Sequence, residues 1–461
     1  MAGEKSNGPL LAVFFTGGFL AGFNANVVSV ALPGIMADLA VDASTAQWLV
    51  SGYMMMQAVV ITLYPFLSRR FSTRVYYLVG LALFALGQLG CMLAPSFAVL
   101  AVFRVLQACG GGLLIPVMMG ASLMLAPEGK ASTYLAAGTA CLTVGPALAP
   151  VVSGVLVTAF SWRACFTVPL AVALAMSLAG AFVLRPLAEI DPAASLDPVS
   201  LVLAALTLVA FVYGMGRLAQ VPVVGIAALV VSVVFGALFG RRQSRLDQPY
   251  LSVAPLKTGL FTACCAILII SIMQNFSMSL LLPLQFQSAF GRTAMEAGLL
   301  VIPPILVMTV ATVLSGRLAD RFGVWPLVPA GFTILLVGQV LVFFSAGAGS
   351  LAAIVGFSTL VYGGAGLVQA PLQALAIKSL PPEESSSGVS LVNVCIQMAA
   401  AIGPALFVGV LSSASARAAL GGADAVAAQT AGFAAAIVVA AVLACIGLIA
   451  SVPVSRKGER R

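Results

Sequence analysis

Arg104 is the one basic residue set well inside an apolar run, and Gln107 follows it at helical spacing. An arginine stays charged at physiological pH, so at that depth it must find acceptors, a counter-charge or water. The acidic residues offer it no obvious partner. Glu4, Asp38, Asp42, Glu128, Glu189, Asp191, Asp197, Asp247, Glu296, Asp320, Glu383, Glu384, Asp424 and Glu459 all fall between apolar runs or at their ends. Proton chemistry through a buried carboxylate needs a group that can be desolvated and have its pKa raised toward neutrality. No such group is expected at depth, which leaves Asp38, Glu296 and Asp320 as the nearest substitutes. The chain has no histidine, the commonest general base and metal ligand. Its eight cysteines (91, 109, 141, 165, 264, 265, 395 and 445) form no C-x-x-C and read as small packing residues. No Ser-His, metal or nucleotide-binding constellation occurs, so neither an enzyme, a cofactor nor a metal is expected.

The elements that position these residues follow from composition. Of 461 residues 61% are hydrophobic and 8% charged, against about 25% charged in a soluble domain. Lipid must therefore be the solvent for most of the chain. The basic residues behind the net charge of +8 sit singly or in short clusters around the apolar runs, so a nucleic-acid partner is not expected. Runs of about twenty apolar residues cross a bilayer. Spans are expected near 10–32, 46–67, 76–95, 98–124, 133–157, 165–184, 198–216, 221–240, 259–284, 297–315, 327–346, 349–375, 388–412 and 430–453. Lys5 before the run from Leu10 to Leu32 resembles a secretory signal. The length of the run and its two asparagines favour a first span that stays attached.

Charge tests this map. Of the 22 basic residues, seventeen fall on one side of it and four (Arg163, Arg217, Arg292 and Arg417) on the other, leaving Arg104 inside. That asymmetry obeys the positive-inside rule with both termini cytoplasmic, and an odd number of spans would scramble it. An inner, plasma-membrane location is expected.

The chain also repeats. Pro65-Phe66-Leu67-Ser68-Arg69-Arg70-Phe71-Ser72 is similar to Gly316-Arg317-Leu318-Ala319-Asp320-Arg321-Phe322-Gly323. Gly80, Gly87 and Gln88 match Gly331, Gly338 and Gln339, Pro127-Glu128 matches Pro382-Glu383, and Gly145-Pro146-Ala147-Leu148 recurs as Gly403-Pro404-Ala405-Leu406. The expected fold is an all-α membrane protein of fourteen transmembrane helices: two parallel six-helix bundles with two inserted linker helices. The divisions are 1–184, an inserted pair with flanking loops at 185–258, 259–453, and a basic tail at 454–461. One repeat pair makes one pathway, so a monomer is expected.

Several motifs resemble the major facilitator superfamily. They are Ala31-Leu32-Pro33, Trp48 and Tyr53, Arg104-x-x-Gln107-x-x-Gly110, Gly145-Pro146-x-x-Ala149-Pro150, Trp162-Arg163 and the segment 316–323. The fourteen-helix count places the resemblance nearest the drug:proton antiporter branch. That pattern would put aspartate at position 24, where this chain has Asn24; at about 1.5 Å per residue, Asn24 and Arg104 lie at similar depth. Segment 316–323 is expected as a tight cytoplasmic turn built on Gly316 and Gly323, beside Arg321. Asp320 would accept from a neighbouring helix N-terminus. In the first copy Arg69 replaces the acid and Ser72 the glycine. Gly145 and Pro146 should bend their helix; the resemblance implies that this bend seals one side of the cavity.

Polar pairs at helical spacing are expected to line that cavity, Tyr53 with Gln57, Arg104 with Gln107, Ser271 with Asn275, Gln369 with Gln373, and Asn393 with Gln397, joined by Asn24, Asn26 and Gln274. Met54, Met55, Met56 and Phe276 would add adaptable apolar surface. The expected function is efflux of drugs or other small amphipathic molecules by alternating access, with protons as a candidate coupling ion. The alternative is a proton-uncoupled facilitator or exchanger for an organic anion that pairs with Arg104.

Overall fold

In the computed structural model, residues 7–41, 43–187, 190–191, 195–218, 221–246 and 249–459 are described. Glu4, Lys5, Asp42, Glu189, Asp247, Arg460 and Arg461 lie outside them. Every regular element among the described residues is helical. The helices are α1 (Gly8–Leu39), α2 (Ala43–Ile61), α3 (Tyr64–Arg70), α4 (Thr73–Met92), α5 (Phe97–Met124), α6 (Ala131–Ala159), α7 (Thr167–Val183), α8 (Pro198–Arg217) and α9 (Pro222–Gln243). There follow α10 (Gly259–Ser288), α11 (Ala294–Phe322), α12 (Leu327–Gly347), α13 (Leu351–Lys378), α14 (Ser385–Leu420) and α15 (Ala425–Glu459). Thirteen spans are long and apolar enough to cross a membrane, or fourteen with α2 and α3 counted as one bent span. Exposed Phe182, Val223 and Phe344 belong on the lipid side of such a body.

The span expected at 46–67 is broken: α2 and α3 meet at 48°. Pro65 has no N–H for the Ile61 carbonyl one turn back. That carbonyl is instead reached from across the molecule by Ser390 Oγ of α14, at 3.1 Å. Helix starts are fixed by side chains. Ser72, Ser96 and Ser350 cap α4, α5 and α13, and Thr293 with Glu296 forms a capping box on α11. The tail expected from 454 is still helical through Glu459, with Arg456 stacked 4.0 Å from the Trp325 ring centre.

Small residues let the helices approach backbone to backbone, and they do so in matched fashion. A methyl placed on Gly110 of α5 would meet Gly80 O and Phe84 N of α4 at 2.6 Å. One on Gly364 of α13 would meet Gly331 O and Leu335 N of α12 at 2.5 and 2.7 Å. Likewise Gly145 of α6 abuts Phe19 and Phe23 of α1, and Gly403 of α14 abuts Met273 of α10. Equivalent residues thus make equivalent contacts in the two copies.

The helix ends carrying Arg69, Arg242 and Arg321 define a basic face, and there the copies grip each other. α6 packs along α11, and α14 along α2, α3 and α5. Asn393 of α14 donates to Met119 Sδ of α5 at 3.0 Å. The inserted pair packs α8 on α9 and places α8 against α2 and α14. Beyond α9 the segment 249–252 touches both copies: Arg69 donates to Pro249 O (3.0 Å), and Ser252 N donates to Ser387 Oγ (3.1 Å). Tyr250 is fully buried beside Thr62 and Phe239, and burial pushes its phenol up to about 12.

Candidate functional site

Arg104 sits in a polar knot inside the first copy. Its Nε donates to Leu49 O at 3.2 Å, and Nη1 to Asn24 O at 3.3 Å and to Gln107 Oε1 at 2.8 Å. The guanidinium lies 4.4 Å from the centre of the Tyr53 ring, a favourable site for a desolvated cation. Asn24 donates to Gln107 Oε1 (3.1 Å) and accepts from Gln88 (2.9 Å), and Gln107 donates to Gln88 Oε1 (3.1 Å). The amides Asn24, Gln88 and Gln107 therefore close a ring around one charge. No ion pair joins Arg104 to a carboxylate among the described residues, and its buried Nη2 has no partner there. Arg104 is 1% exposed and both Asn24 and Gln107 are 0%, so in this conformation they line no open space.

The second copy holds a weaker counterpart. Gln339 donates to Gln274, while Gln274 Nε2, Gln339 Oε1, Ser271 Oγ and Tyr362 OH are buried without partners among the described residues. The glycine contacts align α5 with α13 at an offset of 254, taking Gly110 to Gly364. By that offset Ser358 stands for Arg104 and Val361 for Gln107.

The remaining polar residues expected in the cavity divide by burial. Asn26, Asn275 and Gln397 are half-buried, and Phe276 is exposed. Tyr53, Gln57, Gln369, Gln373 and Asn393 are buried. Gln57 donates to Tyr53 OH, which itself reaches Ala21 O, both at 3.4 Å. Gln88 belongs to the knot but is not among the expected lining residues; its signal was the repeated Gly-Gln pair at 87–88 and 338–339.

At the basic face, Asp320 Oδ1 accepts from Ser132 N (3.1 Å) and Oδ2 from Thr133 N (2.7 Å), both in the first turn of α6. An anion at a helix N-terminus is favoured by the free amides and the dipole. The expected tight turn over 316–323 is corrected: α11 runs through Phe322, and only Gly323, at φ +83°, leaves the helix. Gly316 serves packing instead, since a methyl there would meet Ala136 Cβ at 2.5 Å and Ser132 O at 2.6 Å. Arg321 lies at the exposed end, 5.0 Å from the Phe322 ring centre. Gly145 and Pro146 lie within α6, which is unbroken from Ala131 to Ala159. Pro146 Cδ lies 3.0 Å from where a Gly22 methyl would sit, so the pair marks the α1–α6 crossing.

The other end-of-span acids have local partners. Asp38 pairs with Arg163 (2.5 Å) and accepts from Trp162 (3.1 Å), within the first copy. Glu296 caps its own helix.

The same architecture recurs in known proteins. The human organic anion transporter MFSD10 superposes with a TM-score of 0.70 at 14% identity, covering 97% of this chain and 100% of that one. The MFS-type transporter YcnB of Bacillus subtilis is 29% identical over 445 residues, 96% of this chain and 94% of its own length. The lincomycin resistance protein LmrB of Listeria monocytogenes is 28% identical over 453 residues, 96% of both chains. The profile of the Major Facilitator Superfamily matches residues 14–404, and again 263–461. With two like-built copies meeting through α6 and α11, and a family profile matched over most of its length, the chain belongs to the Major Facilitator Superfamily.

Proposed function

We propose that this chain exports small amphipathic molecules by rocking 1–184 against 259–453, driven by an ion gradient. The observation that carries this reading is the Asp320 clasp, a carboxylate of one copy held by backbone amides of the other. The basic face is read as cytoplasmic, with both termini there, in the plasma membrane. The present conformation is then the one closed toward the cytoplasm. Asn26, Asn275, Gln397 and Phe276, which retain exposure, would meet the substrate first. Amides and adaptable apolar side chains suit amphipathic cargo better than sugars. LmrB, a lincomycin resistance protein matched over 96% of its length, supports this reading. Of Asp38, Glu296 and Asp320, Asp320 is the one that ties the copies together. A monomer suffices, and no catalytic role is assigned.

The buried, partnerless Nη2 of Arg104 favours a second reading, exchange of an organic anion that supplies the missing counter-charge when the knot opens. Purified protein in liposomes separates the two. Uptake of a fluorescent amphiphile that rises with an imposed pH gradient supports export. Gradient-independent exchange of carboxylates, with no amphiphile transport, would replace that reading by the second.

A further inference from the structure

The foot of the inserted helix pair carries a groove of about 330 Å³ lined by Val199, Leu203, Leu238, Arg241, Arg242, Arg245 and Leu246. Three guanidinia meet there, and one is engaged. Arg242 forms a two-pronged pair with Asp197 at 2.5 and 3.1 Å, which holds that carboxyl well below the usual carboxylate range. The side chains of Arg241 and Arg245 have no partner among the described residues. Elsewhere on this face Arg69, Arg74 and Arg185 donate to Pro249 O, Ala181 O and Asn7 Oδ1. Among the described residues the groove thus keeps two unpaired positive charges where α9, apolar up to Gly240, ends at Gln243. Its opposite wall is greasy and faces outward, with Val199 and Leu238 about half exposed.

Two cations at the polar edge of a bilayer, beside exposed apolar wall, match an anionic phospholipid. The guanidinium forks suit a phosphate oxygen pair, and the leucine and valine wall suits the first methylenes of an acyl chain. We propose that this groove binds the headgroup of an anionic phospholipid, held by Arg241 and Arg245. The apolar wall commits the site to lipid over free phosphate. An occupant would also steady the end of α9, from which the chain enters the buried segment 249–252. The assignment stands apart from what the protein carries across the membrane.

Native mass spectrometry of the full-length protein, titrated with phosphatidylglycerol or phosphatidylcholine, tests it. Phosphatidylglycerol is expected to bind in preference. The double variant Arg241→Gln/Arg245→Gln should weaken it by roughly fivefold per arginine, about 25-fold together. Arg317→Gln, elsewhere on the same face, should leave it unchanged. Equal melting temperatures exclude misfolding as the cause. Undiminished binding by the double variant, equal affinity for phosphatidylcholine, or inorganic phosphate binding as tightly as lipid would each overturn the proposal.

Discussion

Gln274 of α10 stands to Gln339 of α12 as Asn24 of α1 stands to Gln88 of α4: each accepts a hydrogen bond from the glutamine of the repeated Gly-Gln pair. The symmetry fails one helix further on. Arg104 completes the first knot, whereas Ser358 donates to its own helix at Val355 O. Positive charge at depth is therefore confined to one copy, and that asymmetry can be tested.

Arg104→Gln should destabilise the protein by about 3 kcal/mol, because it strips a donor from Leu49 O and Asn24 O in a site without water access. Thermal unfolding in detergent reads this directly. Arg104→Lys should recover only part of the loss, since one ammonium cannot span acceptors arranged for a planar fork. A lysine variant as stable as the parent would show that charge alone, and not the fork, holds the knot.

Asn24→Asp places a carboxylate beside an uncompensated cation. Net of the lost Asn24 donor to Gln107 Oε1, the new charge pair is expected to raise stability by about 1 kcal/mol and to weaken any organic-anion exchange at least tenfold by occupying Arg104. A fall in melting temperature would mean that the surrounding amides already satisfy the charge.

Asp320→Asn removes the anion from the α6 N-terminus and leaves one acceptor for two amides. Charged hydrogen bonds contribute about 1.5–3 kcal/mol, so the basic face should open more often. With the eight native cysteines replaced, Ser390→Cys, at a position fully buried between the copies, should react with a maleimide roughly tenfold faster in this background, in keeping with the same energy. An unchanged rate would remove Asp320 from the closure.

Overpacking distinguishes crossing points from open ones. Gly145→Ala and Gly403→Ala press a methyl onto backbone atoms at 2.5 Å and should each cost about 1–3 kcal/mol. Gly409→Ala meets nothing within 4 Å and should be neutral in the same unfolding assay.

The Asp197–Arg242 pair sets a pH dependence of known sign. The pair holds the carboxyl of Asp197 below its ordinary range. Its contribution is therefore complete above the unfolded carboxylate pKa, about 3.9, and is lost only as pH falls through the depressed folded value. Asp197→Asn should lower the melting temperature by the same amount at every pH from 5 to 8. A difference that shrinks within that interval would contradict the assignment.

Hydropathy and charge made the spans legible because lipid leaves few alternatives: 327–346 was expected and Leu327–Gly347 is found. The twofold repeat was legible because close helix crossings demand glycine at fixed stations, as at Gly80 and Gly331. Less could be read where one residue type serves two purposes. Gly316 resembled a turn glycine, yet it packs against α6 inside a helix. Pro65 lay within an apolar run, and the carbonyl its break frees is taken up by Ser390 of α14, far away in sequence. Arg104 was legible as a buried cation, but not its enclosure. Gln88 joins the knot through a helix crossing that spacing along a single helix does not encode.

Between the second inserted helix and α10, the segment 249–252 is fastened to both copies, which makes it a short leash between them. Fully drawn out, a chain spans about 3.3–3.6 Å per residue, but with Pro249 and Ser252 anchored only a fraction of that slack is free. Under the proposed rocking motion, the copies could part on that side only by breaking the Arg69–Pro249 or the Ser252–Ser387 bond, so a chain with fewer residues there would swing through a narrower arc.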